Sequence, residues 1–127
     1  MNAVLLIVAL AAAQVFILGL LAGRARGQYG VPAPAMSGHP IFERWTRVHQ
    51  NSIEQLVVFT PLLPLYANSV GIPTAVVLGV VYLVARVIYA LGYVRAPEKR
   101  SAGAIMTFIV QGWLIFWTIL AFALRLR

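Results

Sequence analysis

Arg44, Arg47, Asn51 and Glu54 recur at spacings of three and four, so on a helix two guanidinium groups, an amide and a carboxylate share one face. A second stripe, Tyr82, Arg86, Tyr89 and Tyr93, has the same spacing and runs directly into Arg95, Lys99 and Arg100. Arginine grips a carboxylate through two parallel hydrogen bonds, a glutamate takes an ammonium, and tyrosines donate to a thiolate or stack on a ligand. A small zwitterion with extra carboxylates suits this inventory. His49 lies two residues from both Arg47 and Asn51, which turns it to the opposite face at roughly 100° per residue, so a functional His49 serves a different helix or subunit.

The elements that position these groups are read against the bilayer. A spanning helix needs about 20 mostly apolar residues to cross roughly 30 Å of hydrocarbon. Ala3 to Gly23 is interrupted only by Gln14, Thr74 to Tyr93 holds the single charge Arg86, and Gly103 to Leu124 holds none. The apolar part of the remaining span, Leu56 to Ala67, is too short to cross alone. It must extend back through Phe42 to Trp45, which carries Arg47, His49, Asn51 and Glu54 to the membrane boundary, where polar groups face a protein interior or a wet cavity. The predicted chain is one all-α integral membrane domain with helices at about 2–24, 41–68, 73–95 and 101–125, kinked in the second by Pro61 and Pro64. Arg24 to Pro40, Asn68 to Pro73 and Arg95 to Ser101 are the connections. The first apolar run has no basic segment before it and exceeds a usual leader core, so it is expected to remain as a helix.

Of 127 residues 61% are hydrophobic and 10% charged, against about 25% charged in soluble domains; mean hydropathy is +0.88. An ordinary soluble globule is excluded. Ten Lys and Arg against three Asp and Glu give +7, a basic excess that on so apolar a chain fits anionic lipid headgroups rather than nucleic acid. Arg24, Arg26, Arg44, Arg47, Arg95, Lys99 and Arg100 lie at the first and third connections, with only Arg125 and Arg127 opposite, which makes the loops 24–40 and 95–101 cytoplasmic by the positive-inside rule. The absence of cysteine excludes disulfides, thiolate metal sites and a protein-borne thiol nucleophile. Each marked residue also has a structural alternative. Arg47 and Glu54 can neutralise each other, Arg86 can snorkel or pair with Glu54, Tyr89 and Tyr93 can be interfacial belt residues, and Arg24, Arg26, Arg95 and Lys99 can simply set topology.

The run from Phe42 to Glu54, with Arg47, His49, Asn51 and Glu54, resembles the second-helix signature of the membrane-associated proteins in eicosanoid and glutathione metabolism, the MAPEG family. The segment from Val81 through Arg86, Tyr89, Gly92 and Tyr93 to Arg100 is similar to that family's third helix, and the compact loops fit a bacterial member. The resemblance, closest to the microsomal glutathione transferase and leukotriene synthase branches, implies a left-handed four-helix bundle that forms a homotrimer. It implies glutathione as co-substrate, bound between subunits near the cytosolic face, with no metal. Arg47, Asn51 and Glu54 would hold the peptide's polar ends, with Tyr89 and Tyr93 lining the pocket. His49 would reach in from the neighbouring subunit, and Arg26 matches an arginine at the end of the first helix. Arg100, helped by Tyr93, would stabilise the thiolate. The second substrate would be a hydrophobic electrophile or lipid hydroperoxide from the bilayer. Gln55 stands where leukotriene-type members carry a tyrosine. The implied membrane is the inner membrane of a bacterium, or otherwise one of endoplasmic-reticulum type. The competing readings are a non-catalytic lipid- or glutathione-binding relative and a small four-helix drug exporter, for which helix one offers only Gln14 in place of an essential glutamate.

Overall fold

A computed structural model describes residues 1–125; Arg127, counted above among the opposing charges, lies outside them. The described residues form four long helices and one short 3-10 turn: α1 (Asn2–Gln28), α2 (Pro40–Ser69), α3 (Ile72–Arg95), η1 (Pro97–Arg100) and α4 (Ser101–Arg125). Three segments, Asn2–Gln28, Ile72–Arg95 and Pro97–Arg125, are long and apolar enough to cross a membrane. The 30 residues of α2 give a rod of about 45 Å at 1.5 Å per residue. It is long enough, with a polar first half, and it stays helical through Pro61 and Pro64.

The first helix ends later than its sequence suggested. Four further residues beyond Arg24 stay helical, so the first connection is 29–39 rather than 24–40. The physical stop is Gly30, whose φ of 64° is the left-handed conformation that glycine adopts without strain. Val31 N–H donates to the Arg26 carbonyl at 3.1 Å and Gly30 N–H to that of Gly27 at 3.4 Å, the paired bonds of a Schellman ending. Gly27 is an ordinary helical residue and gives no break. At the start of α2, His39 Nδ1 accepts from Ile41 N–H at 3.2 Å and the Glu43 carboxylate accepts from Gly38 N–H at 2.9 Å, satisfying donors that a helix start leaves free.

The second helix packs against each of the other three, as does the third. Its lower half joins Val4, Ile7 and Ala11 of α1, Ala75 and Tyr82 of α3, and Val110 and Leu114 of α4 in one buried cluster around Phe59 and Leu63. Phe59 and Tyr82 stack with ring centroids 3.7 Å apart. Tyr82 is therefore a core residue, and the helix-three stripe read from the sequence divides here: one tyrosine goes to the core, and Tyr89 and Tyr93 to the opposite end. The outer faces of α1, α3 and α4 are large apolar side chains such as Leu6, Phe16, Val77, Val84, Phe108 and Ile119. A surface of that kind is costly in water and at home against lipid tails.

Candidate functional site

The second and third helices meet around Arg86, which is 4% exposed. Its Nη2 donates to Asn51 Oδ1 at 2.9 Å and to Ser52 Oγ at 2.8 Å, and its guanidinium carbon lies 4.4 Å from the centre of the Tyr89 ring. Ser52 Oγ donates in turn to the Val48 carbonyl at 2.8 Å, so the hydroxyl that receives Arg86 is itself fixed. Asn51 Nδ2 donates to Glu54 Oε2 at 3.4 Å. Among the described residues, then, neither Arg47 nor Arg86 forms the ion pair with Glu54 that the sequence left open; the amide of Asn51 stands between cation and carboxylate.

One turn further along α3, Tyr93 tilts against Tyr89 with ring centroids 5.8 Å apart, and the Arg100 guanidinium lies 5.6 Å from the Tyr93 ring centre. The chain returns to place Arg100 there because Ala96 precedes Pro97 and is driven extended, at φ −156° and ψ 123°, which ends α3. The turn then folds over Gly92, where a β-carbon would stand 2.5 Å from the Lys99 carbonyl oxygen. Asn51, Gln55, Arg86, Tyr89, Ala104, Thr107 and Phe108 enclose a small cavity of about 30 Å³. Among the described residues, Gln55 Oε1 and Arg86 Nε have no hydrogen-bond partner. Asn51, Glu54, Arg86, Tyr89, Tyr93 and Arg100 are thus gathered at one end of α2 and α3, with exposed Arg47 beside them.

His49 and Arg26 are placed elsewhere in the chain. His49 lies against α1, where a β-carbon on Gly19 would come within 3.0 Å of its Nε2. Arg26 folds over the connection it precedes, donating to the carbonyls of Ala35 at 2.7 Å and Pro32 at 3.4 Å, with its guanidinium carbon 4.6 Å from the Phe42 ring centre. Replacing it should free that loop: Arg26→Ala is expected to speed amide exchange at Val31 in protein without ligand. Unchanged protection would show that these contacts hold nothing. Arg44 faces α3, as its place in the stripe predicts, but it is spent on the end of that helix. Its Nη1 donates to the carbonyls of Val94 and Arg95, both at 3.1 Å, which satisfies acceptors left open at the end of α3.

Three polar contributions escaped the spacing argument. Ser52 adjoins Asn51 rather than lying three or four residues away, so spacing gives it no place in the stripe, yet one long guanidinium bonds both. Gln14, visible only as an interruption, donates to the Leu83 carbonyl at 3.0 Å and ties α1 to α3; Gln111 likewise ties α4 to α2 through the Gln55 carbonyl at 2.9 Å. A lone amide in an apolar run signals such an interhelical bond, since the bilayer offers no other partner. Among the described residues no group of three or more His, Asp and Glu is placed to hold a metal ion.

Four helices, three of them membrane-spanning by length and composition, with a polar cluster closed between them at one end, define a multi-pass integral membrane bundle. The chain belongs to the MAPEG family, whose profile it matches over residues 4–120. It is 40% identical over 122 residues to an uncharacterized protein of Synechocystis, covering 96% of this chain and 89% of that one. It is 39% identical over 97 residues to human microsomal glutathione S-transferase 2, covering 74% of this chain and 64% of that protein. To bovine leukotriene C4 synthase it is 35% identical over 78 residues, covering 61% and 52% of the two chains. The chain thus spans just under two thirds of the human transferase and about half of the synthase.

Proposed function

We propose that this protein is a membrane-embedded glutathione transferase, with glutathione-dependent peroxidase activity as a second outlet, acting on hydrophobic electrophiles or lipid hydroperoxides dissolved in the bilayer. The observation that carries this is the gathering of an amide and carboxylate from α2, two phenols from α3 and the Arg100 guanidinium from η1 at one end of the bundle. Arg47, with no carboxylate partner among the described residues, is free to hold a ligand carboxylate, and Glu54 to hold the γ-glutamyl ammonium. A thiol with its usual pKa near 8.5 is mostly protonated at neutral pH, and a guanidinium beside the sulfur favours the reactive thiolate. Arg100 supplies that charge and Tyr93 a hydrogen bond. In the homotrimer proposed here, His49 and Arg26 complete the pocket of an adjacent subunit, and the ends at 29–39 and 97–100 face the cytoplasm.

Family membership and the named transferase relatives support this reading, as does the presence in the cluster of Asn51, Glu54, Tyr89, Tyr93 and Arg100, which the resemblance marks, whereas Arg26 and His49 lie outside it within one chain. The test is conjugation of glutathione to a chlorinated dinitrobenzene, and reduction of cumene hydroperoxide, by detergent-purified protein. Turnover of either establishes the activity. Binding of glutathione with no turnover of any electrophile would instead assign a binding protein.

A further inference from the structure

We propose that Arg86 is a positioning residue that sets ligand specificity through the Asn51 amide, holding Glu54 ready for the ammonium of an amino-acid-type ligand. The inference rests on the glutathione site proposed above and adds to it a residue in α3 that touches no ligand.

The chemistry of the three groups fixes the direction of the relay. Arginine has only donors and an ionised carboxylate only acceptors, whereas an amide has one of each. Asn51 therefore cannot be turned over: its oxygen must face Arg86, at 2.9 Å, and its nitrogen is left facing Glu54, at 3.4 Å. With the amide so oriented, Glu54 is held without being neutralised by the cation. A direct contact between Arg86 and Glu54 would consume the charge that a ligand ammonium needs. Ser52 makes the arrangement rigid, because its hydroxyl receives the same Nη2 at 2.8 Å while donating to the Val48 carbonyl. The Tyr89 face covers the guanidinium from the other side at 4.4 Å. A purely space-filling role would need none of this. An arginine in a membrane segment is costly unless it is partnered; Arg86 Nε has no partner among the described residues, and the contacts that the guanidinium does make, through Nη2, lead by way of Asn51 to the one carboxylate of the cluster.

The test compares two peptides, glutathione and glutaryl-cysteinylglycine, which is glutathione without its α-ammonium. Equilibrium binding of both is measured to the full chain in detergent. Wild type should bind glutathione more tightly. Arg86→Gln should lower glutathione affinity about tenfold, the usual scale of a lost charge-assisted hydrogen bond, and leave the analogue unchanged. KM for glutathione should rise while kcat at saturation stays, and Arg86→Lys should recover part of the loss. Ser52→Ala, which loosens Arg86 without touching the ligand, should show the same selectivity at about threefold. If Arg86→Gln does not fold, this second variant decides alone. An equal loss for both peptides, or no loss in Ser52→Ala, overturns the relay. A wild type that does not distinguish the peptides overturns it too. A wild type that binds neither peptide removes the glutathione site itself, and the relay with it.

Discussion

Arg100→Ala is expected to lower kcat for glutathione conjugation about 25-fold at neutral pH, with a much smaller change in KM. A thiol of pKa near 8.5 is about 3% ionised at pH 7, whereas one lowered by about 2 units through a neighbouring guanidinium is about three quarters ionised, and the ratio of those fractions is the expected loss. The sign gives a second readout. A depressed thiol pKa supplies thiolate already at neutral pH, so the variant should recover rate as pH rises toward 9 while wild type levels off earlier. Arg100→Lys should retain much of the rate, because a charge near the sulfur matters more here than a planar fork. Position matters as well as charge. Because a β-carbon at Gly92 would stand 2.5 Å from the Lys99 carbonyl oxygen, Gly92→Ala must displace the backbone that carries Arg100. It should lower kcat by an intermediate factor while leaving the guanidinium in the sequence. A pH–rate profile in Arg100→Ala that superimposes on wild type would remove Arg100 from thiolate stabilisation and leave it at most a binding residue.

The gathering of the cluster was legible in the sequence to the extent that it depends on helix periodicity. Spacings of three and four placed Asn51 and Glu54 together on α2, and Tyr89 and Tyr93 together on α3. The tally of apolar residues separated three self-sufficient spans from the one that carries polar groups inward. Long side chains escaped that logic. Arg44 and Arg47 share a face by periodicity, yet Arg44 reaches the last carbonyls of α3 and Arg47 stays exposed, because reach and local partners decide where a guanidinium ends. The end of α1 is not fixed by residue type for a related reason. Gly27 and Gly30 are equivalent as letters, and only the backbone conformation, with φ of 64° at Gly30, shows which one stops the helix. Tyr82 illustrates the limit from the apolar side: its spacing matches Tyr89, but it lies a full two turns closer to the bilayer centre, where Phe59 is available to stack.

The largest structural effect is expected at a glycine with no chemistry of its own. A β-carbon on Gly103 would collide with the Tyr89 backbone nitrogen and stand 2.6 Å from Tyr89 Cα and 2.7 Å from the Ala85 carbonyl oxygen. These are main-chain atoms of α3, which cannot swing aside as a side chain does, so Gly103→Ala must force α3 and α4 apart where they approach most closely. Against about 3 kcal/mol for such overpacking stands a gain of up to about 1 kcal/mol from alanine's better helix propensity, leaving a net loss of roughly 2 kcal/mol. Two other helical glycines calibrate the effect. Gly112 has nothing within 4 Å of its would-be β-carbon, so Gly112→Ala should be neutral or stabilising. Gly79 would meet Ile7 Cγ2 at 2.8 Å, on a stiff β-branched side chain, and Leu63 Cδ2 at 3.2 Å; both are side-chain rather than main-chain atoms, so Gly79→Ala should fall between. Thermal unfolding in detergent followed by helical circular dichroism should order the melting temperatures Gly112→Ala, Gly79→Ala, Gly103→Ala from highest to lowest. The consequence extends to the site, because Tyr89 is the residue that Gly103 touches and also the ring that covers Arg86. Glutathione binding should therefore weaken in Gly103→Ala even below its melting temperature. A Gly103→Ala protein as stable as Gly112→Ala would mean that α3 and α4 are not in backbone contact at this point.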